Sequence, residues 1–266
     1  MRALFCGFLI VAFTGAWAVA DTAAPAYQWG ERLAAGQRLE IDNLNGPVTV
    51  QRAAGDRVAV TALRTADRSD PNSVQIRVEH DSEGVILCPV YPQDDGSDQT
   101  CRHNGGSRSN DRDSAENDTR VSFTVQLPAG VAATLRTVNG SIEVNDVSSP
   151  IDAASVNGHV YISTSSYAQA KTVQGVIRVA MGSPSWPSGG LTFASVNGAI
   201  DITLPRSADA QIHAKTLNGL ISSAVPLNMR RGQMRIMNYA DGTVGSGKSR
   251  LTITTLNGSI RVERAP

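Results

Sequence analysis

The chain has 266 residues, 24 basic and 24 acidic side chains, 5% aromatic residues and three cysteines. That balance excludes the basic footprint of a nucleic-acid binder or a protein drawn to anionic membranes. Few aromatics, with much Val, Ile and Ala, suit a thin core better than a thick globular one.

Residues 1–20 read as a secretory signal peptide. Arg2 is the basic start, Ala3 to Ala18 the apolar run, and Ala18-Val19-Ala20 a cleavage site before Asp21. Cys6 falls inside this segment, too early to be a lipoprotein cysteine. Cleavage removes Arg2 alone among the charges and leaves 23 basic against 24 acidic residues. No later segment approaches membrane-span length. These features predict an exported protein, most simply periplasmic, with the cell surface as the alternative. Residues 21–266 then form a single elongated β-repeat domain.

The next stretch, 47–91, reads as strands: VTVQR, DRVAVTAL, and a hairpin VQIRVEH–DSEG–VILCPVY. Its last strand carries Cys88, which pairs most simply with Cys101 as one disulfide in an oxidising compartment. Residues 92–120 hold almost no apolar side chains beyond Cys101 and Ala115. Such a segment cannot offset its ordering entropy, which predicts a mobile polar loop. Its acids lack the order of a calcium-binding loop.

From here one phrase dominates. It reads Thr/Ser–Val/Leu–Asn–Gly–x–Ile/Val–x–Val/Ile. Its corners are Asn45-Gly46, Asn139-Gly140, Asn157-Gly158, Gln174-Gly175, Asn197-Gly198, Asn218-Gly219 and Asn257-Gly258. Apolar columns stand two residues before each glycine (Leu44, Val138, Val156, Val173, Val196, Leu217, Leu256) and two and four after it, with Ser223 the one lapse. This period-2 alternation marks strands with one buried face. Glycines 140, 158, 175, 198 and 219 are 18, 17, 23 and 21 residues apart. That spacing gives one coil of short strands per repeat, whose faces become a core only by stacking. The predicted class is all-β, a single-domain β-solenoid with Asn–Gly corners and a ladder of stacked Asn side chains. A two-sheet β-sandwich is the alternative. Gly140, Gly158, Gly198 and Gly219 should lie in neighbouring coils, and Gly242 reads as the corner of a degenerate copy.

Three features invite chemistry. Gly242 to Ser249 matches the phosphate-loop pattern, but a strand follows where that loop needs a helix. His80, His103, His159 and His213 are scattered, with no pair at ligand spacing. In-register stacking would also put Glu143, Tyr161, Arg178, Asp201, Ser222 and Arg261 in one exposed row, a candidate binding strip. Its two carboxylates are three strands apart, ~14 Å at the strand spacing, too far for paired-acid glycoside hydrolysis. No catalytic, cofactor or metal residues are predicted.

The recurring TVNGSI phrase, the opening GQRLEIDNLNGPVTV and the closing DGTVGSGKSRLTITTLNGSIRV resemble the bacterial domain-of-unknown-function family labelled "putative adhesin". The resemblance runs from about Gly36 to Val262. It implies an exported β-solenoid-like fold and brings no catalytic residues. Expected roles, in order, are a structural or interaction module of the cell envelope that binds an envelope protein or glycan, a surface adhesin, and a carbohydrate-active enzyme. No nucleic-acid partner and no membrane span after cleavage are expected.

Overall fold

The computed structural model describes residues 22–23, 25–92, 101, 117–231 and 237–266. The signal segment with its Ala20–Asp21 junction, and most of the polar loop expected at 92–120, lie outside the described residues. The chain is all-β. Its strands open with β1 (Thr22–Ala23), β2 (Tyr27–Glu31), β3 (Arg38–Asn45), β4 (Val48–Arg52), β5 (Val58–Ala66), β6 (Gln75–His80) and β7 (Gly84–Val90). After the polar segment come β8 (Arg120–Leu127), β9 (Ala132–Asn139), β10 (Ile142–Val147), β11 (Ile151–Asn157), β12 (Val160–Thr164), β13 (Ala168–Gln174) and β14 (Ile177–Met181). The series closes with β15 (Leu191–Asn197), β16 (Ile200–Leu204), β17 (Ala210–Asn218), β18 (Ile221–Ser223), β19 (Asn228–Arg231), β20 (Asn238–Val244), β21 (Ser249–Asn257) and β22 (Ile260–Arg264).

Every repeat corner joins a strand of one large sheet to a strand of the other. The strands before the corners stack as β3-β9-β11-β13-β15-β21-β17, and those after them as β4-β10-β12-β14-β16-β22-β18. All pairings within these two series are parallel, and corresponding residues of the phrase meet as partners. Neither sheet closes on itself. The two faces pack as in a sandwich while the chain winds between them coil by coil, so both readings of the repeat have a counterpart here. The Asn–Gly pairs are not hairpin turns, because the strands they join pair with neighbouring coils and not with each other.

Three expectations need correction. The stack does not follow chain order: β21 and β22, the C-terminal coil, lie between the β15/β16 and β17/β18 coils. Gly198 and Gly219 are therefore not neighbours, since Gly258 sits between them. Gly242 is not a coil corner; it belongs to β20, which runs antiparallel to β17 and pairs on its far side with β19. The third correction concerns the column two residues before each glycine, which points outward. Val156, Val173, Val196 and Leu256 are 38–43% exposed, while the Ser or Thr before each of them is buried.

The core is built from the other two apolar columns. Val48, Ile142, Val160, Ile177, Ile200 and Ile260 are completely buried, with Val50, Val144, Ile162, Val179, Ile202 and Val262 beside them. Leu135, Ala153, Ala170, Phe193, Ile253 and Ala214 face them from the other sheet. Each buried Ile or Val stabilises the fold by roughly 1.5–3 kcal/mol before entropy is counted. At one end of the first sheet β8 adds parallel to β4, and β5 then runs antiparallel to β8 with β1 and β2 antiparallel on β5; β20 and β19 add antiparallel at one end of the second.

Candidate functional site: the corner columns and the outward rows

At the corners, three columns run along the stack. Each corner glycine except Gly46, which meets the Val121 carbonyl, lies against the carbonyl of the glycine in the adjoining coil. An added Cβ at Gly140, Gly158, Gly175, Gly198, Gly258 or Gly219 would come within 1.8–2.1 Å of that oxygen. Close axial approach, more than backbone handedness, therefore demands glycine here. The amides of Gly46, Gly140, Gly158, Gly175, Gly198 and Gly258 donate to the Asn or Gln carbonyl of the next coil at 2.8–3.1 Å.

The second column is the expected amide ladder. Asn139 Nδ2 donates to Asn45 Oδ1 and Asn157 to Asn139, and beyond Gln174 the ladder resumes with Asn257 donating to Asn197 and Asn218 to Asn257, at 2.7–2.9 Å. The third column was overlooked as a role, although its residue type opens the repeated phrase. Buried hydroxyls of Thr137, Ser155, Thr172, Ser195, Thr255 and Thr216 each donate to the carbonyl of a neighbouring glycine at 2.8–3.3 Å. That carbonyl needs a donor, so the hydroxyl turns inward, and strand alternation sends the following Val or Leu outward.

The outward row forms as the phrase implied. Register places Glu143 beside Tyr161, then Arg178, Asp201, Arg261 and Ser222, with Thr49 on the near side of Glu143. The inserted coil moves Arg261 between Asp201 and Ser222. Arg178 lies over the Tyr161 ring at 5.6 Å and pairs with Asp201 at 3.6 Å. The His159 ring stacks on Tyr161 at 5.8 Å, and His159 Nδ1 accepts the Val176 amide at 2.9 Å. Glu143 and Asp201 remain three strands apart, which keeps them outside the separation that paired-acid chemistry uses. The other described histidines face carboxylates: His80 meets Glu31 at 2.9 Å, and His213 meets Asp241 at 2.8 Å. His103 lies outside the described residues.

A second charged group sits on the outer face of β3. Glu40, only 3% exposed, pairs with Arg38 at 3.4 Å and Arg136 at 3.7 Å. Two residues on, Asp42 is pushed up to about 6, mainly by burial, with Glu40 adding to the rise and Arg136 opposing it. Beside them Ile86, Val90 and the Cys88–Cys101 disulfide form a small outer cluster. The Cys101 amide donates to Glu79 at 2.8 Å, and Tyr91 Oη donates to the Thr119 carbonyl at 3.0 Å. The ends of the polar segment are thus joined through Tyr91 and Thr119, and Cys101 within it is held by the disulfide and by Glu79. The Cys88–Cys101 pairing was legible from compartment and parity. The acids were not, because Glu40 and Asp42 read as ordinary outward strand residues.

The phosphate-loop pattern lies between β20 and β21, two strands, with no helix. Its donors are turned on a carboxylate of the same chain: the Ser246 hydroxyl donates to Asp209 at 2.8 Å and the Lys248 amide at 3.1 Å. These bonds hold the Asp209 carboxyl below the usual carboxylate range. A hollow of 240 Å³ near the end of the stack is lined by Leu220, Ile221, Met229, Arg230, Asn238 and Tyr239. Among the described residues no helix is long and apolar enough to cross a membrane.

No protein-family profile matches the chain, and no curated protein matches it. Solved structures do resemble it. A "putative cell adhesion protein" from Clostridium sporogenes aligns over 90% of this chain and 100% of its own, with a TM-score of 0.46 and 11% identity. A "putative adhesin" from Bacteroides fragilis covers 89% and 96% with a TM-score of 0.36 and 11% identity. Another "putative adhesin", from Parabacteroides merdae, covers 91% and 96% with a TM-score of 0.25 and 10% identity.

Proposed function

We propose that the chain is exported and acts as a non-catalytic interaction module of the bacterial cell envelope, meeting an envelope protein or glycan with its laddered faces. The observation that carries this reading is the outward row, in which Tyr161, Arg178, Asp201 and Arg261 are presented side by side on a parallel sheet. A flat strip of aromatic, cationic and anionic groups at regular spacing suits an extended partner. Register alone sets where these side chains stand, but surface ion pairs of this kind contribute little to stability, so folding does not require these residue types there.

Fractionation of cells, with protease treatment of intact ones, tests the placement. Protection until the outer membrane is opened supports a periplasmic module. Degradation on intact cells would move the reading to a surface adhesin. Binding of the purified protein to isolated envelopes tests the strip: Tyr161→Ala with Arg178→Ala should weaken retention by about tenfold if two anchors are lost. Unchanged retention would remove the strip from the proposal.

A further inference from the structure

We propose that Asn218 is a site of spontaneous, fold-selected modification: conversion to aspartate and isoaspartate through a cyclic imide, with water as the only co-reactant. The reaction begins when the Gly219 amide loses its proton to solvent base. Its nitrogen attacks Cγ of Asn218, the new N–Cγ bond closes a five-membered ring, and the Cγ–Nδ2 bond breaks to release ammonia. Water then opens either ring carbonyl, and no oxidant or reductant is needed. Asn followed by Gly favours this chemistry because glycine puts no side chain in the way of the attacking nitrogen.

Six Asn–Gly corners share that dipeptide among the described residues, and the stack separates them. At Asn45, Asn139, Asn157, Asn197 and Asn257, the following glycine amide is already donated to the carbonyl of an adjoining coil at 2.8–3.1 Å. Deprotonation and rotation of that nitrogen would both require breaking a corner. Gly219 belongs to the last coil of its stack, and its amide donates to no acceptor among the described residues. Its peptide is nevertheless polarised, because the Asn218 carbonyl accepts the Gly258 amide at 3.0 Å, which makes the Gly219 N–H more acidic. The Asn218 side chain is exposed and held only by its own Nδ2, which donates to Asn257 Oδ1 at 2.7 Å, leaving Cγ open to attack. The product also has a structural effect. A carboxylate at 218 has no donor for Asn257 Oδ1, and isoaspartate lengthens the backbone by one carbon where β17 meets β21.

The test is to hold the purified, folded protein in mildly alkaline buffer and map the conversion of each Asn–Gly peptide by mass spectrometry, with a denatured sample alongside. A corner hydrogen bond of roughly 1.4 kcal/mol slows attack about tenfold, so Asn218 should convert about ten times faster than the five protected corners in the folded protein. In denaturant the six should converge. Equal rates in the folded protein, or a protected corner leading, would overturn the proposal. A lead for Asn218 that persists in denaturant would also overturn it, by placing the cause in local sequence. Asn104, in another Asn–Gly dipeptide outside the described residues, is followed as a separate peptide.

Discussion

Two adjacent side chains in each corner face opposite ways, and their chemistry decides which goes in. Thr172 is buried with its hydroxyl on the Gly158 carbonyl, and Val173 beside it is 40% exposed. A hydrophobic reading of the sequence would reverse them, because it weighs burial of a methyl against burial of a hydroxyl and omits the orphan carbonyl. Thr172→Val should therefore lower stability by about 1–2 kcal/mol despite being more apolar, whereas Val173→Thr should stay within about 0.5 kcal/mol of the parent. Urea unfolding of the two variants separates the ideas, and equal losses would discredit the hydroxyl column. Asp42 makes the opposite kind of case, a residue the fold would gain by neutralising. Its carboxyl stands at about 6 in the folded chain against 3.8 ordinarily. Between those values the folded state binds the extra proton, so this stabilisation is complete below the lower pKa and is lost as pH rises through 6. At neutral pH the ionised group is a net cost on the order of 1–3 kcal/mol. Asp42→Asn should raise the urea midpoint at about pH 7.5 and change it little at about pH 4; an unchanged midpoint at the higher pH would contradict the burial assigned to this carboxyl.

At the scale of elements, the final coil is the informative one. β21 and β22 pair on both sides, with β15 and β16 on one flank and β17 and β18 on the other. A C-terminal strand at the edge of a sheet would fray if shortened. Removing Ser249–Pro266 should here leave two facing edges with unmatched amides and carbonyls and abolish the cooperative urea transition seen by circular dichroism. A truncated chain that keeps a sharp transition near the parent midpoint would show that the inserted coil is not what closes the stack. The period alone could not reveal the insertion. Six of the seven phrases carry the same apolar columns, with Ser223 the one lapse, so the period fixes register but not neighbour order. The hairpin β19–β20 explains the detour: its antiparallel pairing covers the outer edge of β17, so a further parallel coil can be added only on the inner side.

Across the whole molecule, what could be read in advance was whatever repeats. The Asn–Gly corners, the Asn ladder, the exposed row from Glu143 to Arg261 and the two buried columns follow from one phrase repeated in register. What escaped was set by single residues at places where the repeat ends or is interrupted. The break in the amide ladder at Gln174, the turn of Gly245 to Lys248 about Asp209, and the buried Glu40 beside the Cys88–Cys101 bridge are of this kind. The ends of the sheets are finished by antiparallel strands, and β18 is cut to three residues. Short or antiparallel terminal strands blunt end-to-end growth, so a repeat that could propagate indefinitely is held to one length.

The position of the final coil also bears on how the molecule comes into being. A ribosome makes Ala210–Ser223 before Ser249–Arg264, yet the earlier segment has no place on the stack until the later one has been laid down. The stack therefore cannot be assembled in the order in which its coils are synthesised, and Ser249–Arg264 decide when the β17/β18 coil can dock.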